Sequence, residues 1–597
     1  MIPARAAAGI RSTRLPYSAY KLKAVPMRGR VLLRILAGFL TTVPLAARPA
    51  AAAPATGQPK PAPILAAMSA ELARWQSGLK DQPKPPYFLS YEITDTQGVF
   101  VSGAFGALTQ SAENRRRMLD VDVRVGDYAL DNTRALRGAG PSFLDRFTAT
   151  EVPVDDSPDA IRSVLWAQTD RRYKRALEQL TAVETNIRVK VEQEDKSSDF
   201  AKEPAAKATE PAAPLKVDRK AWEQRVRKFT APFARYGDMY EANAFFVASV
   251  ETRYYVNSEG TTLQTSQPSY RLFVSAFTKA EDGMELPRYE SYFAVTPEGL
   301  PDDATVLKVV DGMIADLKAL RAAPVVDPYT GPAILSGRAA GVFFHEVFGH
   351  RIEGHRQKRE EDAQTFKKKI NEQVLPETFS VVFDPTLSRM GNTDLVGAYR
   401  FDNEGVASRP VTVVENGVFK SFLMSRTPIE GFPDSNGHGR KQVGFAPVAR
   451  QSNLLVRVKA PLSHEALVKA LIDKVREEGK PFGLVFDDIQ GGFTLTGRTI
   501  PNAFNVLPVM VYRIYPDGRR ELVRGVDLIG TPLTAFSKIV SADDQVGVFN
   551  GVCGAESGGV PVSAAAPGIL ISQIEVQKKQ KSSERPPLLP APFEDKK

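Results

Sequence analysis

Two histidines and a glutamate lie within six residues of this 597-residue chain and could hold a metal ion. His345, Glu346 and His350 form the pattern H-E-x-x-x-H, and three of the chain's five histidines fall between positions 345 and 355. Neutral imidazoles are the commonest metal ligands in proteins, and a neighbouring glutamate can take a proton from a zinc-bound water. A metal site is therefore the first hypothesis, and the alternative is a helix with two buried, hydrogen-bonded histidines.

The spacing of the two motif histidines constrains the backbone that carries them. In the usual zinc-protease motif, H-E-x-x-H, both histidines share one face of a helix. The longer spacing here rotates the second side chain by roughly 140° around a straight α-helix, so the two imidazoles would point apart. For His345 and His350 to reach one ion, the segment must bend, contain a π-bulge or break near Gly349.

The N-terminal segment accounts for the net charge of +9. Residues 1–53 contain nine Lys and Arg and no Asp or Glu, so the remaining chain is neutral overall. No nucleic-acid partner is therefore expected. The single cysteine, Cys553, excludes an intramolecular disulfide, and a free cysteine is ordinarily a small buried apolar residue.

The same segment, residues 1–53, has the order of a cleavable signal peptide. Two arginines precede an apolar run from Val31 to Leu45, and a stretch of small residues follows it. We expect export, with a periplasmic location, no stable membrane span after cleavage, and a true start at Met1 or Met27. The alternatives are an uncleaved anchor or a disordered basic tail.

Hydrophobic periodicity predicts an α+β protein of two parts. Residues 54–330 are expected to form an N-terminal domain in which helices pack on a largely antiparallel sheet. Within it, the low-complexity stretch 193–217 is expected to be a flexible insertion. Residues 331–578 predict a β-rich metal-binding domain with the histidine motif on a helix that starts near Ser336. Residues 579–597 are polar and Pro-rich, which is typical of a disordered tail.

Caps and turn residues predict individual elements more closely. Apolar residues at helical spacing predict a helix over 303–321, and a serine cap and a following glycine bound another over 463–478. Asn416-Gly417 and Asp517-Gly518 each lie between strand-like segments, so tight hairpins are expected at both places.

Six segments of the second part, in order, resemble the TldD/PmbA family of metallopeptidases. The resemblance extends over about residues 330–578 and is weaker before them. The segments are Val342–His350, Phe401–Val406, Ser435–Arg440, Gly491–Phe493, Gly525–Gly530 and Gly551–Gly554.

This resemblance implies a zinc site in which His345, His350 and Cys553 are the ligands and Glu346 is the general base. It implies a metallopeptidase in which Glu346 activates a zinc-bound water against peptide bonds of unfolded proteins or short peptides. The export expected from residues 1–53 departs from this resemblance, since the best-known members of the family are cytosolic. It also implies a dimer, either a homodimer or a heterodimer with a paralogue. The alternatives are a non-catalytic partner subunit or peptide-binding module of such a dimer, or a hydrolase with another substrate.

Further polar residues of these segments are secondary candidates. His438 and Arg440 are candidate donors to the oxyanion of the reaction, and the alternative is a glycine-rich turn. Asp402 and Glu404 either support the metal ligands from behind or cap a turn. His355 is expected to be a polar surface residue beyond the site, or else a group that supports the ligands.

Overall fold

The computed structural model describes residues 62–136, 149–189, 195–498, 504–582, 584–589 and 591–592. The predicted export segment, residues 1–53, lies outside these ranges. None of the described helices combines the length and hydropathy that a bilayer span requires.

A seven-stranded sheet with packed helices makes up the first half of the described chain. Its strands are β1 (Pro86–Ala104), β2 (Ala107–Val125), β3 (Thr150–Glu151), β4 (Lys207–Thr209), β5 (Glu241–Asn257), β6 (Thr262–Lys279) and β7 (Glu285–Ala294). The helices are α1 (Pro63–Leu79), α2 (Pro158–Val189), α3 (Arg219–Thr230) and α4 (Asp303–Ala322), with short 3-10 turns at Ala231–Arg235 and Pro297–Gly299. The strand order is β3-β2-β1-β5-β6-β4, with β7 also on β6, and only β4 and β6 pair in parallel.

Helices cover one face of this sheet. On β1, Leu89, Tyr91 and Ile93 belong to the core under α1 and α2, and Val99 and Val101 belong to the core under α3. These residues alternate along the strand, and alternate residues of a strand share one face. The intervening residues therefore lie on the opposite face.

The opposite face of the sheet is polar and meets the second half of the chain. Glu92 Oε1 lies 2.9 Å from Lys441 Nζ, and Arg253 Nη2 donates to the carbonyl of Asp402 at 2.7 Å. The two halves are thus joined by buried charged groups rather than by a purely apolar interface.

The second half contains an eleven-stranded sheet. The strands of this half are β8 (Tyr329–Leu335), β9 (Phe379–Phe383), β10 (Arg389–Met390), β11 (Thr393–Asp394), β12 (Val411–Glu415), β13 (Val418–Phe419), β14 (Gly439–Arg440), β15 (Val448–Ala449), β16 (Asn453–Val458), β17 (Gly483–Thr494), β18 (Phe504–Ile514), β19 (Arg520–Val523), β20 (Val526–Gly530), β21 (Ile539–Ala555) and β22 (Gly558–Lys578). The large sheet has the order β13-β12-β9-β16-β22-β20-β18-β17-β8, with β21 on β22 and β19 on β18. Because β8 also pairs with β22, five of its strands close into a ring. The pairs β10–β11 and β14–β15 are separate.

Four helices accompany this sheet, and the one that carries the histidine motif is buried in it. They are α5 (Gly337–Val347), α6 (His355–Lys358), α7 (His464–Glu477) and α8 (Pro532–Ser537), with a 3-10 turn at Gly349–Arg351. The rings of Phe343 and Phe344 on α5 pack edge-on against Phe504 and Phe536. At Gly341 a Cβ would lie 2.8 Å from the Ala564 carbonyl, so glycine lets α5 approach β22 closely.

The predicted α+β fold with antiparallel sheets is confirmed, and the helix that starts at Gly337 carries His345 and Glu346 but not His350. α5 ends at Val347, before the second histidine, and a 3-10 turn continues the chain. Both predicted hairpins are present: Asn416 and Gly417 have positive φ between β12 and β13, and Gly518 has φ +87° between β18 and β19.

Two segments whose composition favoured disorder make defined contacts where they are described. Within 195–217, Asp199 binds Arg134 at 2.9 Å, and β4 lies beside β6. Beyond β22, the amide of Lys579 donates to Gly525 O at 2.8 Å. Long-range ion pairs and strand pairing hold these residues, and composition alone does not predict such partners.

Candidate metal centre

The histidine motif occupies the end of α5 and the turn that follows it. His345 and Glu346 are in the last turn of α5, and His350 is in the 3-10 turn. Phe348, with φ −114° and ψ −53°, ends the regular helix between them. The predicted break near Gly349 thereby brings the imidazole rings of the two histidines to a centroid distance of 4.9 Å.

Glycine at position 349 leaves room for the buried side-chain amide of Gln451. A Cβ at Gly349 would lie 2.0 Å from Oε1 of Gln451. The same Gln451 donates from Nε2 to the carbonyl of His345 at 3.2 Å. Gln451 therefore fixes the end of α5, and glycine leaves it the room to do so.

Cys553 completes a cluster of three buried side chains from two distant stretches. Its Sγ lies 3.2 Å from Nε2 of His345 and 3.2 Å from Nε2 of His350. All three ligand atoms lie within 4.8 Å of one another. Cys553 reaches this position from the outer hairpin β21–β22, where it pairs with Val560.

The donor set fits a zinc ion. Zinc binds imidazole nitrogen at about 2.0–2.1 Å and thiolate sulfur at about 2.3 Å, so atoms bound to one ion lie roughly 3–4 Å apart. Catalytic zinc sites likewise have three protein ligands, drawn from imidazole, thiolate and carboxylate groups, and leave the fourth position to water or substrate. Burial opposes ionisation of Cys553, but the neighbouring His350, His345 and Arg450 outweigh it and hold the pKa of the thiol well below its usual range.

Glu346 lies beside the cluster rather than in it. Its Oε2 is 3.9 Å from Nε2 of His350. A Cβ at Gly492 on β17 would lie 2.8 Å from Cγ of Glu346, so the bare backbone of β17 forms one wall of the carboxylate's site. Burial raises the pKa of Glu346, although the two histidines act in the opposite direction. A buried carboxylate with a raised pKa next to a metal site is suited to accept and return a proton.

Glu353 is a functional candidate that the sequence did not indicate. Its Oε2 is 3.3 Å from Nδ1 of His350 and accepts from Arg356 Nε at 2.8 Å, and its Oε1 is 3.3 Å from Arg450 Nε. Burial opposes its ionisation, but the charges of His350 and Arg356 lower the pKa of Glu353 to about 2. A carboxylate on the second nitrogen of a metal-binding imidazole fixes the ring's tautomer and orientation. Its position three residues after His350 is the one sequence feature that could have pointed to it, and that position does not indicate burial.

His355 lies behind the cluster and not on the surface. It is buried, and its Nε2 hydrogen-bonds Glu556, which also accepts from Arg356 at 2.8 Å. Burial lowers the pKa of His355. The expectation of a surface residue is therefore wrong. His355 is buried and belongs to a group of charged side chains with Arg356 and Glu556.

His438 and Arg440 are engaged elsewhere and do not join the ligand cluster. The ring nitrogens of His438 lie 3.1 Å from Asn436 Oδ1 and 3.1 Å from Ser452 Oγ. Burial lowers the pKa of His438 to about 3, so the ring is neutral. Nη1 of Arg440 donates to the backbone carbonyl of Gln451 at 2.5 Å. Because these donors already have acceptors, the structure gives no support to their predicted role at an oxyanion.

Asp402 and Glu404 form a turn rather than a shell around the metal site. Asp402 Oδ1 accepts from the amides of Glu404 and Val406, both at 2.9 Å, and its Oδ2 accepts from Gly439 N at 2.9 Å. Glu404 accepts from the amide of Arg426 at 2.7 Å. The turn alternative therefore describes Asp402, whereas the carboxylate of Glu404 binds a backbone amide 22 residues further along the chain.

Comparisons with known proteins match most of the described chain. A family model described as the PmbA/TldA metallopeptidase C-terminal domain matches residues 328–578, and the corresponding central-domain model matches residues 190–330. A metalloprotease of Archaeoglobus fulgidus is 30% identical over 237 residues, which are 40% of this chain and 51% of that protein. A protein of Saccharolobus solfataricus named a zinc metalloprotease TldD homolog is 22% identical over 248 residues, 41% of this chain and 51% of its own length. The chain thus spans about half the length of these curated relatives.

A solved structure shares the fold. TldE from Thermococcus kodakarensis superposes with a TM-score of 0.56 at 13% identity, covering 86% of this chain and 100% of that one. At this identity the likeness concerns the fold alone.

Proposed function

Because the chain belongs to the TldD/PmbA family of metallopeptidases, we propose that it is a zinc-dependent peptidase that hydrolyses peptide bonds of unfolded proteins or short peptides. The convergence of His345, His350 and Cys553 carries this proposal. Zinc at this position would polarise a peptide carbonyl and lower the pKa of water.

Two glutamates of the chain, Glu346 and Glu353, have separate roles in the proposed reaction. Glu346 accepts a proton from the attacking water at its carboxylate and returns it to the leaving amine. Glu353 holds Nδ1 of His350, so that Nε2 is left for the metal. Burial of all three ligands and of Glu346 keeps bulk water away from the reacting atoms, which strengthens the electrostatic interactions within the site.

The alternative is a non-catalytic partner subunit of a TldD/TldE-type dimer, and the shared fold with TldE favours considering it. A heterodimer with a paralogue, or a homodimer, is part of our proposal in either case. Glu346 beside the cluster favours catalysis, since a metal kept for structure alone needs no proton acceptor.

Metal analysis with matched variants tests the ligands. Purified protein is expected to contain about one zinc ion per chain, and His350→Ala is expected to lose it. His464→Ala is the control, because His464 is 40% exposed and bonds Asp543 outside the cluster. Full metal content in His350→Ala would remove this residue as a ligand.

Peptide digestion tests the role of Glu346. Glu346→Gln keeps the shape of the side chain but cannot accept the proton, so it is expected to retain zinc and to cleave peptides about 10²–10⁴-fold more slowly. Unchanged turnover would exclude Glu346 as the base. A wild type that binds zinc and cleaves no unfolded or short peptide would favour the partner-subunit alternative.

Export is the further part of the proposal, on the pattern of residues 1–53. We expect the mature N-terminus between residues 47 and 55, and N-terminal sequencing of the protein from a periplasmic fraction tests it. Protein that still starts at Met1 or Met27 would count against cleavage.

A further inference from the structure

A cavity of about 370 Å³ lies between the two halves of the chain. Strands β6 and β7 form its wall on the side of the first half, and β17 and β21 contribute from the second half. Much of this lining is aromatic. The rings belong to Phe273, Tyr289, Tyr292, Phe293 and Phe549.

Arg271 on β6 brings a positive charge into this aromatic cavity without an acidic partner. Among the residues that the structure describes, no carboxylate forms an ion pair with it. Its Nη1 donates to Ser291 Oγ at 3.3 Å and to Asn550 O at 3.2 Å, and these neutral acceptors are its hydrogen-bond partners in the described chain. A guanidinium has five N–H donors, so the groups on Nε and Nη2 remain available. Burial lowers the pKa of Arg271 to about 10, which still leaves it charged at neutral pH.

The other cation in the wall is already neutralised. Arg338 binds Asp488, with Nη2 to Oδ2 at 2.6 Å, and also lies 3.4 Å from Glu290. An incoming anion would therefore meet one unpaired charge, that of Arg271. A single planar guanidinium beside aromatic rings matches a carboxylate, whose two oxygens can accept in parallel, better than a doubly charged phosphate.

Two elements connect this cavity to the metal centre. Arg338 in the cavity wall and His345 in the cluster are seven residues apart on α5, so they share a helix face at a separation of about 10 Å. Gly551 in the wall is two residues from Cys553 on β21, and alternate residues of a strand share a face.

A third element, strand β17, connects the cavity to Glu346, the proposed general base. Gln490 in the cavity wall is two residues from Gly492 on β17, and Gly492 contacts Glu346. An extended peptide advances about 3.3 Å per residue, so the separations along α5 and β21 correspond to two or three residues of such a peptide.

We propose that Arg271 binds a carboxylate of the peptide substrate, two or three residues from the bond that is cleaved. This assignment rests on the proposed peptidase function and names a substrate class for it. The carboxylate is either an aspartate or glutamate side chain or the C-terminal carboxylate of a short peptide. Arg271 acts as a specificity-determining residue, and the aromatic rings pack against the apolar part of the residue that carries the charge.

A binding assay on zinc-loaded Glu346→Gln protein tests this without turnover. The probes are fluorescent octapeptides of alanine and serine, blocked at both ends, with aspartate at each position in turn and an asparagine twin for each. A further pair compares a free with an amidated C-terminus and so distinguishes the two sources. At least one charged peptide should bind about 10-fold or more tightly than its neutral twin, as expected for hydrogen bonds to a charged group.

Adding Arg271→Gln to this background should abolish the preference, so that the charged peptide binds no more tightly than its neutral twin. Arg519→Gln is the control, because it removes one positive charge at an exposed site over Tyr515, outside the cavity wall. If Arg271→Gln does not fold, Arg271→Lys keeps the charge without the planar fork and should reduce the preference. Equal affinities within every pair, including no binding at all, or a preference that survives the change at Arg271, would overturn the assignment.

Digestion of the same peptides by wild type separates the two proposals. Wild type that cleaves no peptide contradicts the peptidase function, while the binding comparison still decides the role of Arg271. Cleavage of charged and neutral twins alike, with equal affinities, retains the peptidase and rejects Arg271 as its specificity residue.

Discussion

Glu353 is a buried side chain that orients one of the two histidines of the motif. It holds the ring of His350 and is itself held by Arg356 and Arg450. Arg450 also donates to the carbonyl of Cys553 at 2.7 Å, so the same residues position two of the three proposed ligands. The positions of these ligands therefore depend on three buried charged side chains, those of Glu353, Arg356 and Arg450.

Glu353→Gln is expected to weaken zinc binding about 10–100-fold, because the glutamine no longer orients His350 with a charged acceptor. A competition titration with a chelating dye measures this. The control is Glu372→Gln, since Glu372 is 50% exposed and its ion pair within the described chain is with Lys369. Equal zinc affinity in Glu353→Gln and wild type would show that the carboxylate does not support the ligand.

At the scale of residues, the sequence predicted which side chains come together but not which residues hold them in place. The motif indicated His345, Glu346 and His350 by residue type and spacing, whereas Cys553 followed only from the family resemblance. Glu353 was missed because a charged residue has no sequence signal for burial. His438 was a candidate oxyanion donor, and its ring nitrogens lie at hydrogen-bonding distance from Asn436 and Ser452 instead.

At the scale of elements, α5 ends at Val347, and the 3-10 turn after it brings the ring of His350 next to that of His345. On a straight α-helix, the same five-residue spacing would point the two rings apart. The sequence predicted this constraint, since imidazoles on a straight helix would diverge. It could not predict that a side chain at position 349 would meet Gln451, because Gln451 is 102 residues away in sequence. Local signals also predicted α4, α7 and both hairpins, whereas the closure of β8 onto β22 depends on non-local pairing.

Gly349→Ala is expected to lower the free energy of unfolding by about 1–3 kcal/mol, since the new Cβ displaces the Gln451 side chain. Chemical denaturation measures this. Gly312→Ala in α4 is the matched control because a Cβ there meets nothing within 4 Å, and it should leave the stability unchanged or slightly raise it.

A double variant identifies the cause of this loss. If the clash with Gln451 is responsible, Gly349→Ala should cost less in a Gln451→Ala background, and the two effects should not add. A Gly349→Ala protein as stable as wild type would contradict the close approach.

At the scale of the whole molecule, a buried polar interface joins the two halves. Glu251 on β5 lies in this interface among Glu92, Arg253 and Lys441. Burial, with the charge of Glu92, raises the pKa of Glu251 from 4.5 to about 8. Composition and periodicity predicted two parts but not this contact, because it depends on how a sheet face and a distant loop meet.

Glu251 should make the stability of the protein fall as pH rises from about 5 to 8. The folded state keeps the proton on Glu251 up to pH about 8, whereas the unfolded carboxyl releases it near 4.5. Because the folded state binds more protons in this window, the contribution of Glu251 is complete below it and is lost as pH rises through it. Relative to wild type, Glu251→Gln should gain on the order of 1–3 kcal/mol between pH 5 and pH 8.

Denaturation curves across this pH range measure the difference. Glu415→Gln is the control, since Glu415 is exposed on β12, and it should follow wild type at each pH. A constant difference between Glu251→Gln and wild type from pH 5 to 8 would show that this carboxyl does not titrate in the interface.

X-ray absorption at the zinc edge of the metal-loaded protein tests the central claim most directly. If His345, His350 and Cys553 hold the ion, the spectrum should contain one sulfur at about 2.3 Å and two imidazole nitrogens at about 2.0–2.1 Å. Cys553→Ser should remove the sulfur signal. A zinc ion bound only by oxygen and nitrogen in the wild type would contradict the metal centre on which the proposed function depends.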